Sequence, residues 1–196
     1  KLLALEIESV STKRSLFPET SVKESVLVLD IGATQTRFMI VAEGILRFTS
    51  SNSVAGNNFS STLRERFPIN LKEAEFMKRM VGLDKNHEKG RELLEVLRPA
   101  LVMLKDQIQN YIGFFETHPS SHTYSESAQK ISKIVLTGGG AGLWGLTDWL
   151  SQELHLNVVL GNSLVRIKPK PFSRLKISME DALAYTTALG LAMRSF

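Results

Sequence analysis

Val26–Ile31 is an almost unbroken apolar run with one acid, Asp30, near its end. A run of this length bounded by turn residues reads as a strand buried on both faces. Small residues follow at Gly32 and Ala33, and then a second run, Thr36–Ala42, carries Phe38, Met39, Ile40 and Val41. Glu43-Gly44 is a tight-turn signal into a third run, Ile45–Ser50. Three strands therefore succeed one another, and the chain is committed early to the interior of a sheet.

Helical signals come next. Gly56-Asn57-Asn58 opens a helix in which an Asn side chain can accept a first-turn N–H, Leu63 and Phe67 face inward, and Pro68 ends the helix. Leu71–His118 reads as helix throughout. Leu71, Ala74, Met77 and Val81 form one stripe. Leu93, Leu97, Leu101, Leu104, Ile108, Tyr111 and Phe115 form a longer one, with a kink or break expected at Pro99. His118–Gln129 is a polar loop.

An α/β rhythm then returns. Ile131–Thr137 is a strand, Gly138–Gly142 a glycine loop, Leu143–Leu154 a helix carrying Trp144 and Trp149, and Asn157–Leu160 a strand. Ser178-Met179-Glu180-Asp181 resembles a capping box that starts a helix running to Met193. At the front, Leu2–Glu8 alternates like a strand, Ser9–Phe17 suits a short helix and Pro18–Glu24 a linker. The chain begins with Lys1, and the expectation is that the native protein continues upstream.

Composition narrows the chemistry. With 196 residues, 43% hydrophobic and 22% charged, the chain suits one domain or two small subdomains. The absence of cysteine excludes disulfides, thiolate metal sites and thiol catalysis. No apolar run approaches the roughly 20 residues that span a bilayer, and no signal peptide is visible. The net charge of +4 is partly local, in Val165–Lys176 with Arg166, Lys168, Lys170, Arg174 and Lys176. That stretch, with Pro169 and Pro171, reads as a solvated loop, the alternative being contact with anionic lipid or an acidic partner. Aromatic residues do not interleave with the basic ones, so nucleic acid is not an expected partner.

Two glycine motifs carry the candidate chemistry. In Asp30-Ile31-Gly32-Ala33-Thr34-Gln35-Thr36, small residues let a ligand approach the backbone, and the amides with the Thr34 and Thr36 hydroxyls can cradle phosphate oxygens. Asp30 can hold a magnesium ion through water. A plain hairpin with small turn residues is the competing reading. Gly138-Gly139-Gly140-Ala141-Gly142 lies between a strand and a helix, where exposed amides suit a phosphate or the polar edge of a nucleoside. Here a tight structural turn competes. Gly140-x-Gly142-x-x-Gly145 also matches the dinucleotide fingerprint, but Leu160–Val165 has no acid for a ribose. His118 and His122 have a metal-like spacing, yet Pro119 between them breaks the helix it would need.

The order of three features carries a resemblance: the Asp30–Thr36 hairpin, Ala55-Gly56-Asn57-Asn58-Phe59, and Leu136-Thr137-Gly138-Gly139-Gly140-Ala141 after a helical insertion. Together they resemble the second domain of the actin-like ATPases, which have a ribonuclease H-like fold and include heat-shock chaperones, the division protein FtsA and the type IV pilus assembly protein PilM. The ending Ala188-Leu189-Gly190-Leu191-Ala192-Met193 and the opening Leu5-Glu6-Ile7-Glu8 are similar to PilM proteins. The resemblance implies a mixed sheet with an inserted helical subdomain. Residues 1–24 would end an upstream domain, 25–68 and 131–196 form the nucleotide-binding core, and 69–130 the insertion.

It also implies ATP and magnesium as cofactors. Asp30, Gly32, Ala33, Thr34 and Thr36 would hold phosphate, with Asp30 on the metal, and Gly138, Gly139, Gly140 and Ala141 would lie against adenosine. The first phosphate loop and the pilus-partner groove of the family would belong to the other domain. The implied role is a cytoplasmic scaffold at the bacterial inner membrane, in a pilus or related secretion or competence machine. Its partners would be PilN-like membrane proteins with short cytoplasmic tails, and homo-oligomerisation and membrane-surface contact stay open. Gln35 stands where the family commonly has Thr, Arg37 where it often has an acid, Ala55 at a Gly position and Ser163 at a Pro position. These departures bear on hydrolysis more than on fold. A sugar-kinase-like phosphotransferase is a second reading, but it needs a catalytic base and another phosphate loop between Thr36 and Gly138. A degenerate interaction module is a third.

Overall fold

The computed structural model describes residues 5–17, 24–118, 129–167 and 177–194. Its centre is a five-stranded mixed sheet in the order β3-β2-β1-β4-β5. The strands are β1 (Ser25–Ile31), β2 (Thr36–Ala42), β3 (Ile45–Asn52), β4 (Ile131–Thr137) and β5 (Asn157–Leu160). β1 is antiparallel to β2 and parallel to β4, with Asp30 opposite Arg37 on one side and Thr137 on the other. All seven residues of β1 are buried, as its apolar run requires. Glu43 and Gly44 both have positive φ, 51° and 74°, the backbone a two-residue hairpin needs.

Helices cover both faces. On one lie α2 (Gly56–Arg66), α3 (Leu71–Met80), α4 (Glu88–Thr117) and α5 (Leu146–Leu154). Leu93, Leu97, Leu101, Leu104 and Ile108 of α4 share one buried cluster with Leu27, Leu29, Ile31, Phe38 and Ile40 of the sheet. The helices α3 and α4 thus pack into the same core as the strands. On the other face α1 (Glu8–Leu16) places Leu16, followed by Phe17, against Val26, Val28, Met39, Val41 and Val135. Beside α1 runs α7 (Thr186–Ala192), which follows the short α6 (Met179–Leu183). A Cβ on Gly190 would lie 1.8 Å from the Ser11 carbonyl oxygen, so these two helices meet backbone to backbone. Arg14 of α1 adds a bond to the Gly190 carbonyl at 2.8 Å.

The expected helices are placed correctly but subdivided. The segment 71–118 is two helices, because 81–87 folds back on itself. There Gly82 has φ 56°, and a Cβ on Gly90 would sit 2.1 Å from the Asp84 carbonyl oxygen. Pro99 does not break α4, which is continuous across it. Pro99 and Glu95 lie on the exposed side, where water can satisfy the carbonyl that loses its partner. Proline costs a helix about 3 kcal/mol, against roughly 8–15 kcal/mol for burying five side chains of this size. Leu71 is 52% exposed, so the α3 stripe begins at Ala74. The expected strand at 2–8 is not formed over the described part. Leu5–Ile7 are irregular, and the Ile7 carbonyl accepts the Val10 amide at 3.0 Å to start α1. The expected loop at 119–128 and most of the basic stretch, 168–176, lie outside the described residues.

Two core substitutions test this packing. Gly190→Ala should cost about 1–3 kcal/mol by forcing α7 off α1, and Leu97→Ala about 2–5 kcal/mol by opening a cavity under the sheet. Urea unfolding measures both, and an unchanged midpoint for Gly190→Ala would mean that α7 is not docked as described.

Candidate functional site

β1 ends in a hairpin loop whose Gly32 amide donates to the Gln35 carbonyl at 3.0 Å. A Cβ on Gly32 would lie 2.9 Å from that same oxygen, so the turn requires glycine. Beyond it, Ala33, Thr34 and Gln35 are exposed. Among the described residues, no acceptor takes the Ala33 or Thr34 amide. The start of α2 docks on this loop, since Gly56 donates to the Gly32 carbonyl at 2.9 Å and Asn57 to the Ala33 carbonyl at 2.8 Å. Asn58 does supply the expected side-chain acceptor, taking the Ala55 amide at 2.8 Å.

The third glycine segment closes on the same place. A Cβ on Gly56 would be 3.6 Å from Gly140 Cα, and one on Gly140 only 2.4 Å from Ile31 Cγ2. Gly138 has φ 83° and leaves no room for a side chain beside Ile31 O and Asp30 Oδ1, each 2.5 Å from a built Cβ. Gly32, Ala33, Gly56, Gly138 and Gly140 therefore converge at the end of β1. Their packing depends on missing side chains. Ala141 is buried beneath them, and Gly139 is exposed at the rim, with Ala184 Cβ 3.8 Å from its built Cβ.

Four distant hydrogen bonds shape this turn, and local periodicity does not foretell them. The Leu183 carbonyl accepts the Gly138 amide at 3.1 Å and the Thr186 hydroxyl at 2.8 Å. That competition separates α6 from α7 where one helix to Met193 was expected. The Thr137 and Thr186 hydroxyls pair at 2.7 Å. On the other side, Trp144 donates to the Lys78 carbonyl at 3.0 Å and accepts from the Leu83 amide at 2.8 Å. Gly145, at φ 80°, then starts α5. Gly139–Gly142 is accordingly a 3-10 turn rather than the first turn of a long helix, and Trp144 stands outside α5, 63% exposed. Trp149 is in the core with Leu146 and Leu150.

Two ionic clusters flank the convergence, and sequence reasoning missed both. Lys78 is 5% exposed, and its ammonium reaches Glu75 at 2.8 Å, the Ser60 hydroxyl at 2.8 Å and the Gly56 carbonyl at 3.2 Å. Burial pushes the Glu75 carboxyl up, but its bonds to Lys78 and Ser60 outweigh this and hold it below the usual range. The Glu75-x-x-Lys78 spacing was the available signal, but nothing local turns that lysine inward. Farther out, Arg79 bridges to Asp181 of α6 at 3.1 Å.

At the hairpin, Arg37 donates to Asp30 Oδ2 at 2.8 Å and pairs with Glu8 at the start of α1. Burial raises the Asp30 carboxyl above its usual range, and the Arg37 cation opposes that shift. This corrects one expectation. Arg37 occupies the Asp30 carboxylate, and a carboxylate already bonded to a guanidinium does not fit the role of metal ligand. Among the described residues no group of three or more acidic or histidine side chains is placed to hold a metal. Thr36 is corrected as well. It is fully buried, and its hydroxyl donates to the Val54 carbonyl at 2.6 Å, so it anchors 54–56 rather than presenting an oxygen donor to a ligand. His118 caps α4 and stacks on Phe114, while His122 lies outside the described residues. Ser163, at the expected proline position, bonds the Ala182 carbonyl at 3.0 Å and so ties its turn to α6. Ala55 is buried and extended, so alanine fits there without strain.

Comparison with known proteins places this architecture. The structure superposes on the PilM–PilN type IV pilus biogenesis complex with TM-score 0.78, at 22% identity, over 97% of this chain and 52% of that one. It superposes on MreB5 of Spiroplasma citri, solved bound to AMPPNP, with TM-score 0.72, at 19% identity, over 98% of this chain and 59% of that one. In sequence it is 24% identical to the cell division protein FtsA of Buchnera aphidicola subsp. Acyrthosiphon pisum (strain APS), over 93% of this chain and 46% of that protein. The chain thus has the actin-like fold and spans about half the length of the relatives it matches. The family model described as type IV pilus assembly protein PilM matches residues 4–196, and the chain belongs to that family.

Proposed function

We propose that this chain is the nucleotide-binding half of an actin-like scaffold in a type IV pilus assembly platform, or in a related secretion or competence machine. Membership of the PilM family over residues 4–196 supports the scaffold role. The convergence of Gly32, Ala33, Gly56 and Gly140 carries the binding role, because it brings two free amides and an exposed glycine turn to one edge of the sheet.

An adenosine nucleotide fits the donors present. The Ala33 and Thr34 amides and the Thr34 hydroxyl suit phosphate oxygens, which backbone N–H groups in a turn attract. The exposed face of Gly139, with no side chain, suits the flat face of a purine. The Lys78–Glu75–Ser60 cluster holds α3 against the start of α2, and so fixes the wall beside that turn. Magnesium does not fit at Asp30, because the Arg37 guanidinium already takes that carboxylate. A ligand held from one side alone loses buried contact area and binds weakly. The second wall would come from the rest of the protein, in keeping with a chain half the length of its relatives.

The partner is a PilN-like inner-membrane protein with a short cytoplasmic tail, in keeping with the PilM–PilN complex among the structural relatives. No helix among the described residues is long and apolar enough to cross a membrane. Nucleotide would set the geometry of the scaffold, with hydrolysis slow or absent. No observation favours the sugar-kinase reading. The described part of the interval from Thr36 to Gly138 is mainly three helices, and its hairpin at Glu43–Gly44 carries a single glycine rather than a glycine-rich phosphate loop.

Titrating ATP into isotopically labelled protein should shift the amides of residues 32–35 and 138–142 together. Gly139→Asp should weaken binding by about tenfold or more, through bulk and charge at the rim. Shifts confined to one segment, or unaffected by Gly139→Asp, would reject a shared site. A PilN-like tail peptide added to the protein should bind with an affinity that changes when ATP is present. Binding blind to nucleotide would instead make this a pure interaction module.

A further inference from the structure

The Arg37 cluster is not accounted for by a scaffold with an ordinary metal–nucleotide site. Arg37 sits where β2 leaves the hairpin loop, directly opposite Asp30 in the β1–β2 register. Its guanidinium is held from below by Asp30, whose side chain is 10% exposed, and from outside by Glu8, whose side chain is 56% exposed. The inner carboxylate is buried and the outer one open to solvent. A guanidinium has five N–H donors, more than these two contacts use. Arg37 also lines a groove of about 490 Å³ with Gln35, Ser9, Thr49, Ser50 and Ser51. Gln35 links the groove to the hairpin loop, since it directly follows Ala33 and Thr34 in the chain and its carbonyl accepts the Gly32 amide. The groove lining is polar apart from Ile7, with Arg37 as its one cation, the Ser9 and Thr49 hydroxyls paired at 3.0 Å, and the acids Glu6 and Glu8 at the α1 end. Glu6 is already paired with Arg14 and Arg194, which leaves Glu8 as the acid an incoming anion must displace.

We propose that Arg37 is the counter-ion for the polyphosphate of a nucleotide bound here, so that this site takes its ligand without needing a divalent cation. The inference rests on the nucleotide-binding reading above and deepens it. The mechanism is exchange of carboxylate for phosphate. A terminal phosphate entering the groove displaces Glu8 from the outer face of the guanidinium, while Asp30 keeps the inner face aligned. Arginine suits this exchange because its planar fork meets phosphate oxygens in pairs. The Asp30–Arg37 bond also explains why the metal does not fit, since the cation position beside that carboxylate is filled by the protein itself. Loss of the Glu8 contact at the head of α1 would pass the bound state of the phosphate loop to the α1–α7 pair.

The test uses labelled protein and reads dissociation constants from the amides of residues 32–35. ATP, inorganic tripolyphosphate and adenosine are compared, each in excess magnesium and in EDTA. ATP affinity should differ by less than about threefold between the two conditions, and Arg37→Ala should weaken ATP and tripolyphosphate by about tenfold while sparing adenosine. Arg37→Lys should fall between, as a point charge without the fork. Glu8→Gln, at an exposed side chain that leaves the core untouched, should tighten both polyphosphates by about two- to threefold by removing the competing charge. That variant keeps the proposal testable if Arg37→Ala unfolds. ATP binding lost in EDTA and indifferent to Glu8→Gln and Arg37→Ala would overturn the proposal and leave the nucleotide reading standing. No response to ATP or tripolyphosphate in either condition would overturn both.

Discussion

The structure depends on the burial of β1. Its seven residues are enclosed on both faces and hydrogen-bonded on both sides, antiparallel to β2 and parallel to β4. A strand so enclosed can end only where its neighbours also end, so the β1–β2 turn and the β4 exit lie side by side. Asp30 and Ile31 then form the floor on which Gly138 and Gly140 rest without side chains. The glycines are thus a packing requirement first. The exposed amides at the rim are a consequence, because loops pressed this closely cannot all satisfy one another.

Charge is arranged with the same economy. Each side of the glycine convergence has one cation drawn inward and held by a carboxylate, Lys78 by Glu75 and Arg37 by Asp30. The two pairs differ in character. Glu75 is stabilised in its charged form by the bonds it accepts, whereas burial raises Asp30 even against its arginine. Glu75 and Lys78 therefore form a settled brace between α2 and α3. Asp30 and Arg37 hold a less comfortable charge next to an open groove.

The helices of the C-terminal half show local preference yielding to distant partners. Leu143 to Leu154 and Met179 to Met193 each carry enough apolar spacing for one helix. Each is interrupted because a backbone group is recruited elsewhere, Trp144 by α3 and the Leu183 carbonyl by Gly138. Pro99 shows the reverse. A local breaker fails because the leucines around it are committed to the sheet and the orphaned carbonyl lies on the wet side.

What the sequence by itself determined is the strand framework and the order of its loops. The bounds of β2, β4 and β5 and the turn at Glu43–Gly44 follow from contiguous apolar runs and glycine punctuation, which are properties of neighbouring residues. The placing of Gly32 and Gly138–Gly140 in turns at the ends of β1 and β4 was legible for the same reason. The inward turn of Lys78, the use of the Thr36 hydroxyl on Val54 and the capture of Asp30 by Arg37 were not. Neither were the breaks at 81–87, Trp144 and Leu183. Most of these depend on a partner many residues away, as with Leu183 and Gly138. No periodicity carries that information, and only the closed sheet, by bringing those partners within hydrogen-bond distance, decided them.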